Sequence, residues 1–224
     1  KVVLVIGYLL AGIVILLSVK RLGLIAFAVF IFIMLFVDAL VKRNVGSIVK
    51  IFLVSSIIVV IFLVVYNNLS DTWGINTLDR ISNMTEDGGS GRDVIYTNVW
   101  ETIKSSNIYE QIFGHGMNTI ASVTNGHGAH NDFLHNFYQY GFLPTLSLAL
   151  FYLFSLFEGI RMIKARFKYA PQFVGITAIS ILLSVFSSYT VAFGYVTCGC
   201  VSIGYILAQW YDYRHQPKKE VLHK

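Results

Sequence analysis

The chain has 224 residues, 55% apolar and 13% charged, with a mean hydropathy of +0.65 and a formal net charge of +5. A soluble globular domain carries roughly a quarter charged residues, so this composition excludes that class and indicates a multi-span membrane protein. The positive excess does not point to nucleic acid, because the basic residues sit in short segments between apolar runs and not on one polar face.

Six apolar runs are long enough to cross a hydrocarbon core of about 30 Å as helices. They lie at residues 2–18, 22–41, 49–66, 142–160, 172–192 and 194–211. The expected fold is therefore an all-α integral membrane protein with about six transmembrane helices. One large external loop, carrying short amphipathic helices, separates the third from the fourth. The expected organisation is three spans in 1–66, an external catalytic loop in 67–141, three spans in 142–211 and a cytoplasmic tail in 212–224. The chain opens at Lys1 and runs straight into an apolar segment without the regions of a signal peptide, which reads as the C-terminal fragment of a longer single-domain membrane protein.

Lys and Arg in short loops mark the cytoplasmic side. Lys42, Arg43 and Lys50 follow the second run, Arg161, Lys164, Arg166 and Lys168 follow the fourth, and Arg214, Lys218, Lys219 and Lys224 follow the sixth. All three groups fall on one side in a six-span count, which places the long loop and the tight Ser18–Leu22 turn outside. Within residues 67–140 only Arg80, Arg92 and Lys104 stand against eight acids, which read as a solvated face. Asp38 is expected at the cytoplasmic end of its span.

Two short helices are expected in the loop. Gly91-Arg92-Asp93 opens the first, with Asp93 as N-cap, Ile95, Val99 and Ile103 at helical spacing and Trp100 beside them. This helix should lie along the membrane surface. The second starts at His130-Asn131-Asp132, places Phe133, Phe137 and Tyr140 on one stripe, and stops at Gly141 before Pro144 opens the next span.

A helix start presents unpaired N–H groups and a partial positive charge, an arrangement suited to phosphate. Arg92 sits at such a start, Arg21 follows the external turn between the first two spans, and Arg80 comes earlier in the loop. Planar, permanently charged forks are the side chains that hold a diphosphate by paired hydrogen bonds. Snorkelling at a helix end is the plain alternative for Arg21. His130 at a helix start should stay neutral and can act as a general base for a hydroxyl, a role worth about 10²–10⁴ in rate. The plain alternative is that His130 and Asn131 only cap and pack.

His115, in the glycine-rich turn Phe113-Gly114-His115-Gly116, is a weaker ligand candidate, and its ordinary reading is a surface or gating residue. His127, His130 and His135 do not have a recognised metal-ligand spacing, so no metal is expected. No Rossmann or P-loop glycine pattern occurs, so no nucleotide cofactor is expected. Cys198-Gly199-Cys200 reads as small residues that allow close helix packing.

Ser18-Val19-Lys20-Arg21-Leu22-Gly23, Ser90-Gly91-Arg92 with Trp100 downstream, Phe113-Gly114-His115-Gly116, and Ala129-His130-Asn131-Asp132-Phe133-Leu134 followed by Tyr140-Gly141-Phe142-Leu143 occur in this order. Together they resemble the C-terminal region of the O-antigen ligase and O-antigen polysaccharide polymerase superfamily. The resemblance implies a bacterial glycosyltransferase of the cytoplasmic (inner) membrane, multi-pass, with its active loop on the periplasmic or extracellular side. The implied donor is an undecaprenyl-diphosphate-linked glycan and the partners are a glycan acceptor, the lipid bilayer and, for a polymerase, a chain-length regulator. No cofactor, metal or nucleic acid is implied. The family's functional residues map onto Arg21, Arg92 and His130 as catalytic groups. Arg80 and the helix starts join the donor site, Asn131 orients the His130 ring or the acceptor, and Tyr and Trp faces such as Trp100 bind sugars, with His115 nearby.

The expected reaction is metal-independent, inverting polymerisation of lipid-linked oligosaccharide repeat units into O-antigen or capsule. The alternatives are an O-antigen ligase or O-oligosaccharyltransferase using the same donor and, from another class, a lipid-linked glycan transporter. A transporter would bury ionisable residues near the bilayer midplane, whereas here Asp38 and Glu158 lie near span ends.

Overall fold

The computed structural model describes residues 21–43, Gly46, Val49, and residues 91–190 and 193–215. The described residues contain seven α-helices and one 3-10 turn and no strand. In chain order these are α1 (Arg21–Lys42), α2 (Arg92–Ser105), α3 (Ile108–Phe113), the 3-10 turn Thr119–Ser122, α4 (Asp132–Tyr140), α5 (Phe142–Lys164), α6 (Ala170–Phe186) and α7 (Phe193–His215). The runs expected at 2–18 and 49–66, Arg80, and residues 216–224 of the tail lie outside the described residues.

Two helices, α1 over Ile25–Lys42 and α5 over its whole length, are long and apolar enough to cross a membrane, and α6 is a shorter apolar helix. α1 packs along α6, and α6 packs in turn against α5 and α7. Glycines permit the close approaches. A Cβ at Gly175 would meet Phe30 and Met34 of α1, and one at Gly159 would meet Val174. Around these contacts Val37, Met162, Phe167, Ala170, Phe173, Ile203, Ile206 and Trp210 form a buried core at the basic end of the bundle. Because contacts between membrane helices depend on dispersion and close fit and not on expelling water, such glycines decide which helices meet.

A second, smaller core holds the polar segment together. Val99 and Ile103 of α2 meet Ile120, Ala129 and Tyr138, with Ile95, Leu134 and Phe137 packed around them. The Ile95/Val99/Ile103 stripe expected to lie on a membrane surface is thus spent on protein. α3 starts with a complete capping box, in which Asn107 accepts from Glu110 N and Glu110 accepts from Asn107 N. At the other end of α3, Gly114 and Gly141 are the residues that only glycine can supply. Both have positive φ, and a Cβ on either would collide with backbone, of Gln139 and Tyr140 in one case and of Ile112 and Phe113 in the other. Gly141 ends α4 and begins α5, as the sequence predicts.

Two boundaries differ from expectation. The run at 172–192 stops being helix at Phe186, where side chains from the loop bind its last carbonyls, and Ser187–Thr190 continue in non-helical backbone. The run at 194–211 continues as helix to His215. Gly199 faces the Tyr189 hydroxyl, while Cys198 and Cys200 are free and exposed. The close-packing reading of that tripeptide therefore rests on the glycine alone.

Candidate active site

The end of α6 organises the site. An α-helix leaves its last carbonyls without intrahelical partners and with a partial negative charge. Here the Arg92 Nη1 donates to Phe186 O at 3.0 Å and the Asn131 Nδ2 donates to Val185 O at 3.1 Å. Thr190 N, in the connection that follows, donates to the Asp132 Oδ2 at 2.9 Å. Three polar side chains, from two separate helix starts, therefore grip six successive residues. The cation lies at the C-terminal end of a dipole, where it is favoured.

Arg92 is the first residue of α2, whose N-cap is Gly91 in the left-handed region at φ +75° with no side-chain cap. Asp93 therefore lies in the first turn and is not the cap. The second helix starts later than expected as well. Asn131 is its N-cap, accepting from Leu134 N at 3.0 Å, and the helix proper begins at Asp132. His130 stands just outside it at φ +51°, a left-handed conformation uncommon for a non-glycine residue. Tyr96 holds it there from α2 by donating to His130 O at 3.1 Å. Sparsely populated backbone of this kind persists only where the surroundings impose it, and it concentrates at functional sites.

The His130 imidazole is held below the ordinary histidine range, first by burial, then by the Arg92 guanidinium and then by His127. The ring is therefore the neutral, proton-accepting form at neutral pH. Desolvation and a neighbouring cation lower its pKa, in addition to the helix start invoked from sequence. The same guanidinium opposes the upward shift that burial imposes on the Tyr96 phenol. Among the described residues Arg92 has no carboxylate partner, since the ion pairs there join Lys42 to Asp38, Lys104 to Glu101 and Arg161 to Glu158. A permanently charged fork with one N–H on a carbonyl and no counter-ion, beside a neutral imidazole, can take an anion and a proton at the same place.

The other expected site residues fall differently. Arg21 begins α1. Asn131 uses its oxygen on Leu134 N and its nitrogen on Val185 O, so its amide builds the site by tying α4 to α6. Trp100 is exposed and meets Phe137 edge-on at 6.4 Å between ring centroids, next to the second core. His115 is tied into the fold. Its ring stacks on Tyr138 at 4.2 Å, its Nδ1 donates to Tyr138 O at 3.0 Å and its Nε2 lies 2.7 Å from the Ser106 hydroxyl. Among the described residues no three His, Cys, Asp or Glu groups assemble as a metal site.

Asp132 corrects the reading of the loop acids as a solvated face, because it is 0% exposed. Burial pushes its carboxyl up, against hydrogen bonds from Ser184 and Thr190. His135, one turn on, is also buried, and burial pushes it down. The available signal was their setting in Ala129-His130-Asn131-Asp132-Phe133-Leu134-His135, where Asp132 and His135 lie three positions apart, on one face of a helix start.

A family model described as O-antigen ligase matches residues 6–152, more than half of the chain. The chain belongs to the O-antigen ligase family. Neither a curated protein nor a solved structure matches it. Membership makes the apolar helices those of a membrane protein with a glycan-transfer role. The region shared with the O-antigen ligase family carries Arg92 and His130 and ends within α5 at Tyr152, so the α6 terminus on which Arg92 and Asn131 are seated lies beyond it.

Proposed function

We propose that this protein is a glycosyltransferase of the bacterial cytoplasmic membrane that polymerises undecaprenyl-diphosphate-linked oligosaccharide repeat units into surface polysaccharide. In this reading the chain crosses the membrane six times and the segment 67–141 is external and catalytic. The observation that carries the reading is an Arg92 guanidinium, seated on the end of α6 with no counter-ion among the described residues, beside a neutral His130.

Arg92, joined by Arg21 and Arg80, holds the donor diphosphate and stabilises the charge that builds as it leaves. His130 accepts the proton of the acceptor hydroxyl. The acceptor oxygen bonds to the anomeric carbon from the face opposite the phosphate, inverting it, and the carbon–oxygen bond to phosphate breaks with its electron pair on the diphosphate. That leaving group is already a stable anion and needs no acid. The positive charge comes from guanidinium groups, so the scheme uses no metal. Trp100 and the neighbouring aromatic residues offer faces for sugar rings.

The family's description favours a second reading on the same site, in which the finished glycan passes to another acceptor, as in an O-antigen ligase or O-oligosaccharyltransferase. Surface polysaccharide from cells lacking the gene and carrying full-length protein, His130→Ala or Arg92→Ala at matched membrane abundance separates these readings. Polymerisation predicts a ladder collapsed to single repeat units in both variants. Full-length chains stranded on the lipid carrier indicate ligation. An unchanged ladder removes the site and favours the transporter.

A further inference from the structure

A carboxylate removed from water is costly unless cations or hydrogen bonds replace the lost hydration. Asp132 is wholly buried, and among the described residues no Lys or Arg pairs with it. Capping does not require it, since Asn131 already caps α4. Its hydrogen-bond partner lies elsewhere, Thr190 N at 2.9 Å, across 58 positions of chain. The Ser184 hydroxyl, bonded to the Tyr152 hydroxyl of α5 at 2.6 Å, stands near enough to oppose the upward shift of the carboxyl, and the Asp132 Oδ1 has no partner among the described residues. The segment so held, Val185–Thr190, carries the two carbonyls that seat Asn131 and Arg92.

We propose that Asp132 is a positioning residue for the transfer reaction, fixing the Val185–Thr190 segment so that Arg92 and His130 keep their mutual placement. The inference rests on the reading of Arg92 and His130 given above and extends the site to a segment outside the family-matched region. Asp132 touches neither substrate nor reacting atoms. It acts through its hydrogen bond to Thr190 N, in the connection that follows α6, and removing it lets the seat of the guanidinium move. A misplacement of about 1 Å costs on the order of 10²-fold in rate.

The test compares full-length Asp132→Leu, which has similar volume and no acceptor, with Asp132→Asn, which keeps an oxygen for the Thr190 N–H. Both are assayed in membranes with lipid-linked glycan extracted from cells lacking the gene, per mole of protein, across pH. Asp132→Leu is expected to lose about 10²-fold, and Asp132→Asn to recover most of that loss. The acidic limb of the rate profile moves to higher pH in Asp132→Leu, because His130 loses the influence of Arg92; the charged and titratable groups around His130 are Arg92, His127 and Tyr96. A role in stability alone would lower protein abundance and leave that limb in place. If Asp132→Leu fails to accumulate, Thr190→Pro removes the donor while keeping the carboxylate and should give the same loss. Full activity in Asp132→Leu overturns the proposal, as does Asp132→Asn being as inactive as Asp132→Leu with an unmoved limb. Arg92→Ala and His130→Ala run alongside: activity in those variants sinks the underlying reading, whereas their inactivity beside an active Asp132→Leu sinks only this inference.

Discussion

At the basic end of the α5–α6 pair Glu158 is bound on both oxygens, by Arg161 at 2.6 Å and by the indole N–H of Trp210 at 2.8 Å. At the opposite end Arg92 and His130 are electrostatically coupled, with no carboxylate among the described residues to balance them. The first arrangement closes on itself. Glu158 is 5% exposed and Trp210 6%, the Arg161 guanidinium also lies 5.5 Å from the Phe157 ring, and the two charges balance each other. The second leaves, among the described residues, a cation without a counter-ion beside a neutral imidazole. Buried polar groups that satisfy one another maintain a fold, whereas those left unbalanced at a surface are available for chemistry.

The comparison is sharpest if the two ends respond to mutation in different observables. Arg92→Ala should lower transfer by about 10²–10³, the range for removing one charge-stabilising donor, and shift thermal unfolding little. Arg92→Lys should restore part of the loss, because it keeps the charge but not the fork. Single-turnover transfer and thermal unfolding in detergent read both, and a large fall in unfolding temperature for Arg92→Ala would break the contrast.

Glu158→Ala should do the reverse. Its buried Trp210 N–H loses a partner, which costs about 1–3 kcal/mol of stability. The Arg161 side chain is 38% exposed, so loss of the ion pair itself adds little. The rate per folded molecule should hold, and a rate loss comparable to that of Arg92→Ala would erase the distinction between the two ends.

The smallest expected effect concerns pH. In the proposed reaction His130 is the base in its neutral form, and its pKa lies below the ordinary imidazole value, chiefly through burial. Activity should therefore persist below that value and fall only as pH drops through the depressed pKa. Protonated His127 disfavours a second charge on His130, so His127→Gln should move the acidic limb slightly to higher pH. A limb already at the ordinary value in the unmodified protein would argue against a desolvated base.

Periodicity and apolar length gave α1 and α5 within a few residues, because a run of lipid-compatible side chains is a local property. The break at Gly141 was equally legible, since one residue without a Cβ separates two helices there. Arg92 and His130 stood out as chemistry-bearing residues at helix starts. The burial of Asp132 did not, because an acid among seven others in a polar stretch looks solvated until its distant partner is known. His115 looked available for the same reason, though Tyr138 and Ser106 hold its ring.

The sequence by itself determined the helical class, the sites of the apolar runs and the residue types able to hold a diphosphate and accept a proton, because hydropathy and side-chain chemistry are carried residue by residue. Only the tertiary structure decided that Arg92 and Asn131, 39 positions apart, share the end of α6 with Asp132. A helix terminus exposes carbonyls whose partners arrive from elsewhere in the chain, and no local pattern records which side chains those are.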